Sequence, residues 1–142
     1  MIIQVSVFLE NKPGRLEKVL QILYDNEIDI RSISVAETLD YGVFRLILDK
    51  PALGVEKLKD AGFTVKETSV LGLEIVDERG SMLKVVKELA VNDIDIEYTY
   101  SCLPINEDKV IIIVRVDDIE KAMAVLKDSR SCRLLSCEDM GC

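Results

Sequence analysis

Two short stretches of this chain hold the residues best suited to chemistry, ENKPGRL at 10–16 and DERGSML at 77–83. In each, a glycine (Gly14 or Gly80) stands just before an apolar pattern of helical period. The first amides of a helix have no partner inside it and carry the positive end of its dipole, so they suit a carboxylate or a phosphate. Glycine would let such a group approach the backbone. The same glycine also serves a tight entry turn that holds no ligand, but its recurrence at the same place in both stretches favours binding.

Bond-making chemistry finds less support. The chain has no histidine, which removes the commonest general base, although carboxylates could take that role. Four cysteines, Cys102, Cys132, Cys137 and Cys142, lack a histidine to complete a zinc site or a nucleophile pair. The last three are spaced by four residues instead of the two of a zinc ribbon, so reduced thiols near a tail are expected and no metal or cofactor. The glycine patterns GxGxxG and GxxxxGK[ST] are absent. A net charge of −8 and a pI near 4.6 argue against attraction to a phosphate backbone, so no nucleic-acid partner is expected. The longest aliphatic run, VIIIV at 110–114, is far short of the roughly 20 residues that cross a bilayer, and no signal-like segment opens the chain. A cytoplasmic protein with no membrane partner is expected.

The elements that must position the two turns repeat as well. NEIDI at 26–30 recurs as NDIDI at 92–96, which is 66 residues later. Alternation over residues 2–9 predicts a strand with Ile3, Val5, Val7 and Leu9 on one face. Leu16, Val19, Leu20 and Leu23 then form the stripe of an amphipathic helix that ends near Asn26. Residues 28–38 read as a second strand, 40–42 as a turn, 43–49 as a third strand, 51–61 as a helix and 63–68 as a fourth strand. A shift of 66 carries Gly14 to Gly80, Leu16 to Met82, Val19 to Val85, Leu23 to Leu89 and Ile28 to Ile94, with about two extra residues before the last helix. Ile28 and Ile30 are expected to point into the core, and Asp29 and Asp95 to face solvent. Only TSV at 68–70 separates the copies, too few residues for a flexible linker. Both faces of VIIIV are apolar, so the sheet face away from the helices should also be covered.

The NKPGRL turn, the LxxVLxxLxxNxIDI passage and the GVFRLIL strand resemble ACT domains, small ligand-binding regulatory modules. The resemblance implies an α+β fold of two ferredoxin-like βαββαβ modules in tandem, with antiparallel sheets carrying helices on one face. The copies would span residues 1–69 and 70–142, with a short tail from about 138. It is strongest in the first copy, because Arg79 replaces the proline in the second.

Carried to these positions, the family implies that a free amino acid binds beside the turn. Asn11, Pro13, Gly14, Arg15 and Leu16 would meet it, with the amides of 14–16 holding its carboxylate. The second strand would wall the pocket through Ile33, Ser34, Val35 and Ala36. In the second copy the corresponding set is Asp77, Gly80, Ser81, Met82, Tyr98, Tyr100 and Ser101, and Asp77 or Glu37 would oppose the ammonium group, whose burial unpaired is costly. Tyrosines in strands are as often half-buried packing, and Arg15 could merely cover the helix start.

The resemblance implies a non-enzymatic allosteric sensor, paired as a homodimer. The alternative is a regulatory subunit docked on a separate enzyme of amino-acid metabolism. An enzyme of the acylphosphatase type would need a glycine-rich signature that is missing, and a copper chaperone a Cys-x-x-Cys loop after the first strand.

Overall fold

In the computed structural model residues 1–37, 40–102 and 107–142 are described; Thr38, the expected end of the second strand, lies outside them. The chain divides into two compact units, an N-terminal one of Ile3–Thr68 with Gly141–Cys142 and a C-terminal one of Ser69–Met140 with Met1–Ile2.

The N-terminal unit is built from β1 (Ile2–Glu10), α1 (Arg15–Asp25), β2 (Ile30–Glu37), β3 (Tyr41–Leu48) and α2 (Pro51–Asp60), followed by β4 (Thr64–Val76). Its strands lie in the order β2-β3-β1-β4, and β3 is antiparallel to both β1 and β2. Val5, Val7 and Leu9 from β1 and Phe44, Leu46 and Leu48 from β3 pack with Val19 and Leu23 of α1 and Val55 and Leu58 of α2. Alternation thus works as predicted on this face, but only half of the α1 stripe reaches the core: Leu16 remains 39% exposed.

β4 is one unbroken strand that continues through residues 68–70, so the expected connector is itself strand. After it the C-terminal unit repeats the pattern with α3 (Ser81–Val91), β5 (Ile96–Cys102), β6 (Lys109–Val116), α4 (Ile119–Leu126) and β7 (Arg133–Leu135). Its strands lie in the order β5-β6-β4-β7, again antiparallel. Leu71, Leu73, Ile75, Val85, Leu89, Ile112, Val114, Val116, Ala122 and Leu126 make its core. Glu10 lies opposite Tyr41 and Val76 opposite Lys109, so the offset is 66 on one strand and 68 on its neighbour. The two extra residues therefore fall between β5 and β6.

The duplicated NEIDI and NDIDI phrases are helix terminators. Ile28 N–H reaches the Leu23 carbonyl at 3.0 Å and Glu27 N–H that of Tyr24 at 3.1 Å; Ile94 and Asp93 do the same with Leu89 and Ala90 at 3.1 and 3.0 Å. This is the paired closure of a Schellman motif, which needs a left-handed residue, and Glu27 (φ 54°) and Asp93 (φ 56°) supply it. Asn26 and Asn92 add a side-chain N–H bond to the carbonyls of Ile22 and Glu88, each at 2.8 Å. Ile28 and Ile94 are buried as expected, whereas Ile30 is 37% exposed and Ile96 half-buried. Ile30 and Ile96 lie opposite core residues, Leu48 and Val116, and Ile96 packs against the C-terminal core. Their residual exposure follows from their places at the starts of the edge strands β2 and β5, just before a register shift in each.

The sheet faces turned away from the helices are buried too: Gln4, Ser6 and Ile47 in the N-terminal unit, and Ile111 and Ile113 in the C-terminal unit. This is the covered second face that VIIIV called for. The chain's end is no loose tail. Cys137–Met140 form a helical turn, α5, with Met140 buried, and Ser136 and Asp139 cap each other reciprocally at 2.8 and 3.2 Å. Cys102 and Cys132 remain thiols, but Cys137 and Cys142 are disulfide-bonded, which corrects the expectation of reduced thiols throughout. No helix among the described residues is long and apolar enough to cross a membrane.

Candidate functional site

The turn before α1 is closed by backbone. Lys12 N–H bonds the Glu10 carbonyl at 2.8 Å and Arg15 N–H the Lys12 carbonyl at 3.4 Å, and Gly14 enters the helix at φ 84°. A residue with a Cβ is disfavoured at that angle, so the glycine is conformationally required. No side chain caps α1. The first amide bonded within it is that of Lys18, to the Gly14 carbonyl at 3.0 Å, so the N–H groups of Leu16 and Glu17 precede any intrahelical acceptor.

Beside this helix end lies a crevice of about 290 Å³, lined by Leu9, Glu10, Asn11, Lys12, Pro13, Arg15, Leu16, Val35, Gly42 and Phe44. Strand register builds it. Leu9 faces Gly42 across β1 and β3, and Val35 faces Phe44 across β2 and β3. The missing side chain at Gly42 leaves the floor open: a Cβ there would stand 3.6 Å from Asn11 Oδ1. The polar rim carries two cations and one carboxylate, with Glu10 Oε2 at 2.9 Å from Lys12 Nζ and 3.7 Å from Arg15 Nη2. The Lys12 hydrogen bond, then the Lys12 and Arg15 charges, hold the Glu10 carboxyl below the usual carboxylate range.

Of the expected residues, Asn11, Pro13, Arg15, Leu16 and Val35 come together here, and Gly14 is the hinge beside them. Ile33 lies two residues along the same face of β2 and is 44% exposed. Ser34 and Ala36 pair with Arg45 and Val43, so the pleat places them on the opposite face, away from the helices and the crevice. The expected carboxylates, Glu37 and Asp77, do not line it; Glu10 does. Leu9, Glu10, Lys12, Gly42 and Phe44 were missed. Leu9, Glu10 and Lys12 adjoin the turn in sequence and could have been found there, whereas only strand pairing brings Gly42 and Phe44 to it, and Gly42 reads in sequence as a turn residue.

The second turn keeps the backbone and changes the side chains. Gly80 enters α3 at φ 90°, again with no side-chain cap. Asp77 N–H bonds the Asp108 carbonyl at 2.8 Å, Ser81 is buried and Met82 half-buried. Tyr98 and Tyr100 stack on each other, with ring centroids 6.5 Å apart and planes 18° apart, opposite Arg115 and Ile113. That face points away from α3, so the pair is not brought to the Gly80 turn; Ser101, opposite Ile112, lies on the helix side.

Comparison with the curated proteins gives no match. Among solved structures, protein BT0572 from Bacteroides thetaiotaomicron matches with a TM-score of 0.91 and 33% identity, over 99% of this chain and 95% of that one. The ligand-free regulatory subunit of aspartate kinase from Thermus thermophilus matches at TM-score 0.65 and 18% identity, over 88% of each chain. The corresponding subunit from Thermus flavus gives 0.59 and 18%, over 88% of this chain and 90% of that one. At 18% identity the likeness is one of fold. The ACT domain pair family matches residues 1–134. Two ferredoxin-like α+β modules in tandem and a family match over nearly the whole length lead to one conclusion: the chain belongs to the ACT domain pair family of regulatory modules.

Proposed function

We propose that this protein is a non-enzymatic sensor of a free amino acid, bound in the crevice beside the N-terminus of α1. The uncapped helix end opening onto a half-apolar crevice is the observation that carries this reading. A ligand carboxylate meets the Leu16 amide and the Arg15 guanidinium, where the helix dipole favours negative charge. Glu10 and Asn11 face the ammonium group, and Leu9, Leu16, Val35 and Phe44 take the side chain. Occupancy regulates by binding one arrangement of subunits better than another. The arrangement proposed is a homodimer, supported by the exposed apolar side chains Ile30, Ile33 and Val35 on edge strand β2.

Thermal unfolding measured with each of the twenty amino acids tests the proposal. A cognate ligand at 100 times its Kd adds about 2.7 kcal/mol of stability, and Gly42→Val, whose new methyls project into the crevice, removes the response. No response to any amino acid at millimolar concentration overturns the sensor. A second reading, a subunit resident on an enzyme of amino-acid metabolism, draws on the regulatory subunits among the fold neighbours. Affinity purification from the native cell separates the two: a stoichiometric catalytic partner supports the subunit, a homodimer eluting alone supports the sensor.

A further inference from the structure

The C-terminal unit carries a different crevice, of about 230 Å³, where the ends of β4 and β6 meet the loop between α4 and β7. Its charged lining is Lys109, Arg130 and Arg133 around Glu74, three cations to one carboxylate in a chain whose net charge is −8. We propose that this crevice is a second small-molecule site, for a metabolite bearing an oxyanion, a carboxylate or a phosphate.

Strand pairing sets the arrangement. Glu74 of β4 lies directly opposite Arg133 of β7, and Val76 of β4 opposite Lys109 of β6. The Glu74 side chain is only 5% exposed, and its Oε1 sits 3.1 Å from Lys109 Nζ and 3.6 Å from Arg133 Nη1. A carboxylate so buried requires cations beside it, which accounts for Lys109 and Arg133. It does not account for Arg130, which makes no ion pair among the described residues. The loop that carries Arg130 is held in place: Ser129 Oγ donates to Glu88 Oε2 at 2.6 Å, and Ser131 N–H to Ser129 Oγ at 3.0 Å. Asp139 engages Arg133 Nη2 at 2.6 Å. That leaves two ammonium hydrogens on Lys109 and the whole Arg130 guanidinium facing the opening, the donor set that binds an oxyanion.

The N-terminal unit has a crevice of about 300 Å³ at the corresponding place, lined by Phe8, Tyr41 and Phe63 where Glu74, Lys109 and Ser131 stand in the other. The hollow is therefore a feature of the fold: the first copy lines it with one cation, Arg15, beside Glu10 and the aromatic rings, and the cluster of three cations is particular to the second copy. This site is separate from the amino-acid crevice, and the proposal does not depend on it.

The test is a calorimetric titration of the full chain with inorganic phosphate and, separately, with succinate, at ionic strength held constant with sodium chloride. Amide chemical shifts are followed in parallel. Saturable millimolar binding of one anion is expected, with shifts centred on residues 74–76 and 130–133. Which of the two saturates tells phosphate from carboxylate. Arg130→Ala, which breaks no ion pair, weakens binding at least about tenfold, and Lys109→Gln weakens it while leaving Glu74 its arginine. Gly42→Val leaves this titration unchanged, so loss of the amino-acid response is read apart from loss of anion binding. Failure of both anions to saturate, or equal affinity in Arg130→Ala, overturns the proposal.

Discussion

The turns before α1 and α3 share a backbone and differ in almost every side chain. Both enter the helix through a left-handed glycine, at φ 84° and 90°, and neither helix is capped by a side chain. Around the first, Glu10, Lys12 and Arg15 form a charged rim. Around the second, Val76 replaces Glu10 and the buried Ser81 replaces Arg15. The crevices at the α2–β4 and α4–β7 loops diverge in the same way: Phe8, Tyr41 and Phe63 line one beside a single cation, and three cations surround Glu74 in the other. Backbone turns depend on a few residues, glycine and asparagine chief among them, and persist when those persist. A site depends on every side chain that lines it, so its chemistry drifts freely between copies with one shape.

If the units are equivalent in architecture, equivalent core truncations should cost alike. Leu23 and Leu89 are 1% and 0% exposed at matching positions of α1 and α3. Leu23→Ala and Leu89→Ala are each expected to cost about 2 to 5 kcal/mol, read from urea unfolding midpoints; a difference greater than that range would show that one unit stabilises the chain far more than the other.

The glycine turns sharpen the comparison by separating stability from binding. Nothing stands within 4 Å of a Cβ at Gly14 or Gly80, so Gly14→Ala and Gly80→Ala meet only the left-handed penalty of about 1 to 2 kcal/mol each. Both should lower the melting temperature, and only Gly14→Ala should also reduce the amino-acid response. Loss of response in Gly80→Ala would move the site to the second copy.

The helix terminators give a smaller, symmetrical effect. Asn26→Ala and Asn92→Ala each remove one side-chain bond to a carbonyl, at about 1 kcal/mol by thermal unfolding. The helices that follow the third strands give a contrast of similar size. α4 begins with Asp118, whose carboxylate accepts from Lys121 N–H at 3.0 Å, whereas α2 begins with Pro51 and no side-chain cap. Asp118→Ala should cost about 1 kcal/mol, and Lys50→Ala, at the corresponding place, should lose no cap.

The smallest expected effect is acid titration. The backbone and hydroxyl hydrogen bonds from Ser136, then the Arg133 charge, hold the Asp139 carboxyl below its ordinary value. Glu10 is held low by Lys12 and Arg15. A depressed folded-state pKa stabilises fully above the unfolded value, near 4, and that stability is lost as pH falls through the lower folded value. Chemical shifts of the two carboxyl groups should therefore titrate below those of exposed carboxylates, and Ser136→Ala should raise only that of Asp139.

The repeat, the amphipathic helices and the two glycine turns were legible because each rests on local rules. Helical period, αL tolerance and cap chemistry act over a few residues, and the sequence displays those residues side by side. The crevice was half legible. Asn11, Pro13, Arg15 and Leu16 follow one another along the chain, whereas Gly42 and Phe44 join them only through the register of β3 against β1 and β2. Strand faces were the weakest inference. The bulges near Arg31 and Glu97 end the alternation on which any placement of the residues beyond them, Tyr98 and Tyr100 among these, must rely.

By itself the sequence determined that this chain is a duplicated unit with a left-handed glycine at the mouth of its first helix in each copy, since dihedral preference and hydrophobic period are properties of neighbouring residues. Tertiary structure alone decided which carboxylate faces the first crevice and that one copy gathers cations around a buried Glu74. Cross-strand pairing brings together residues 31 positions apart, such as Glu10 and Tyr41, and no local preference encodes that distance.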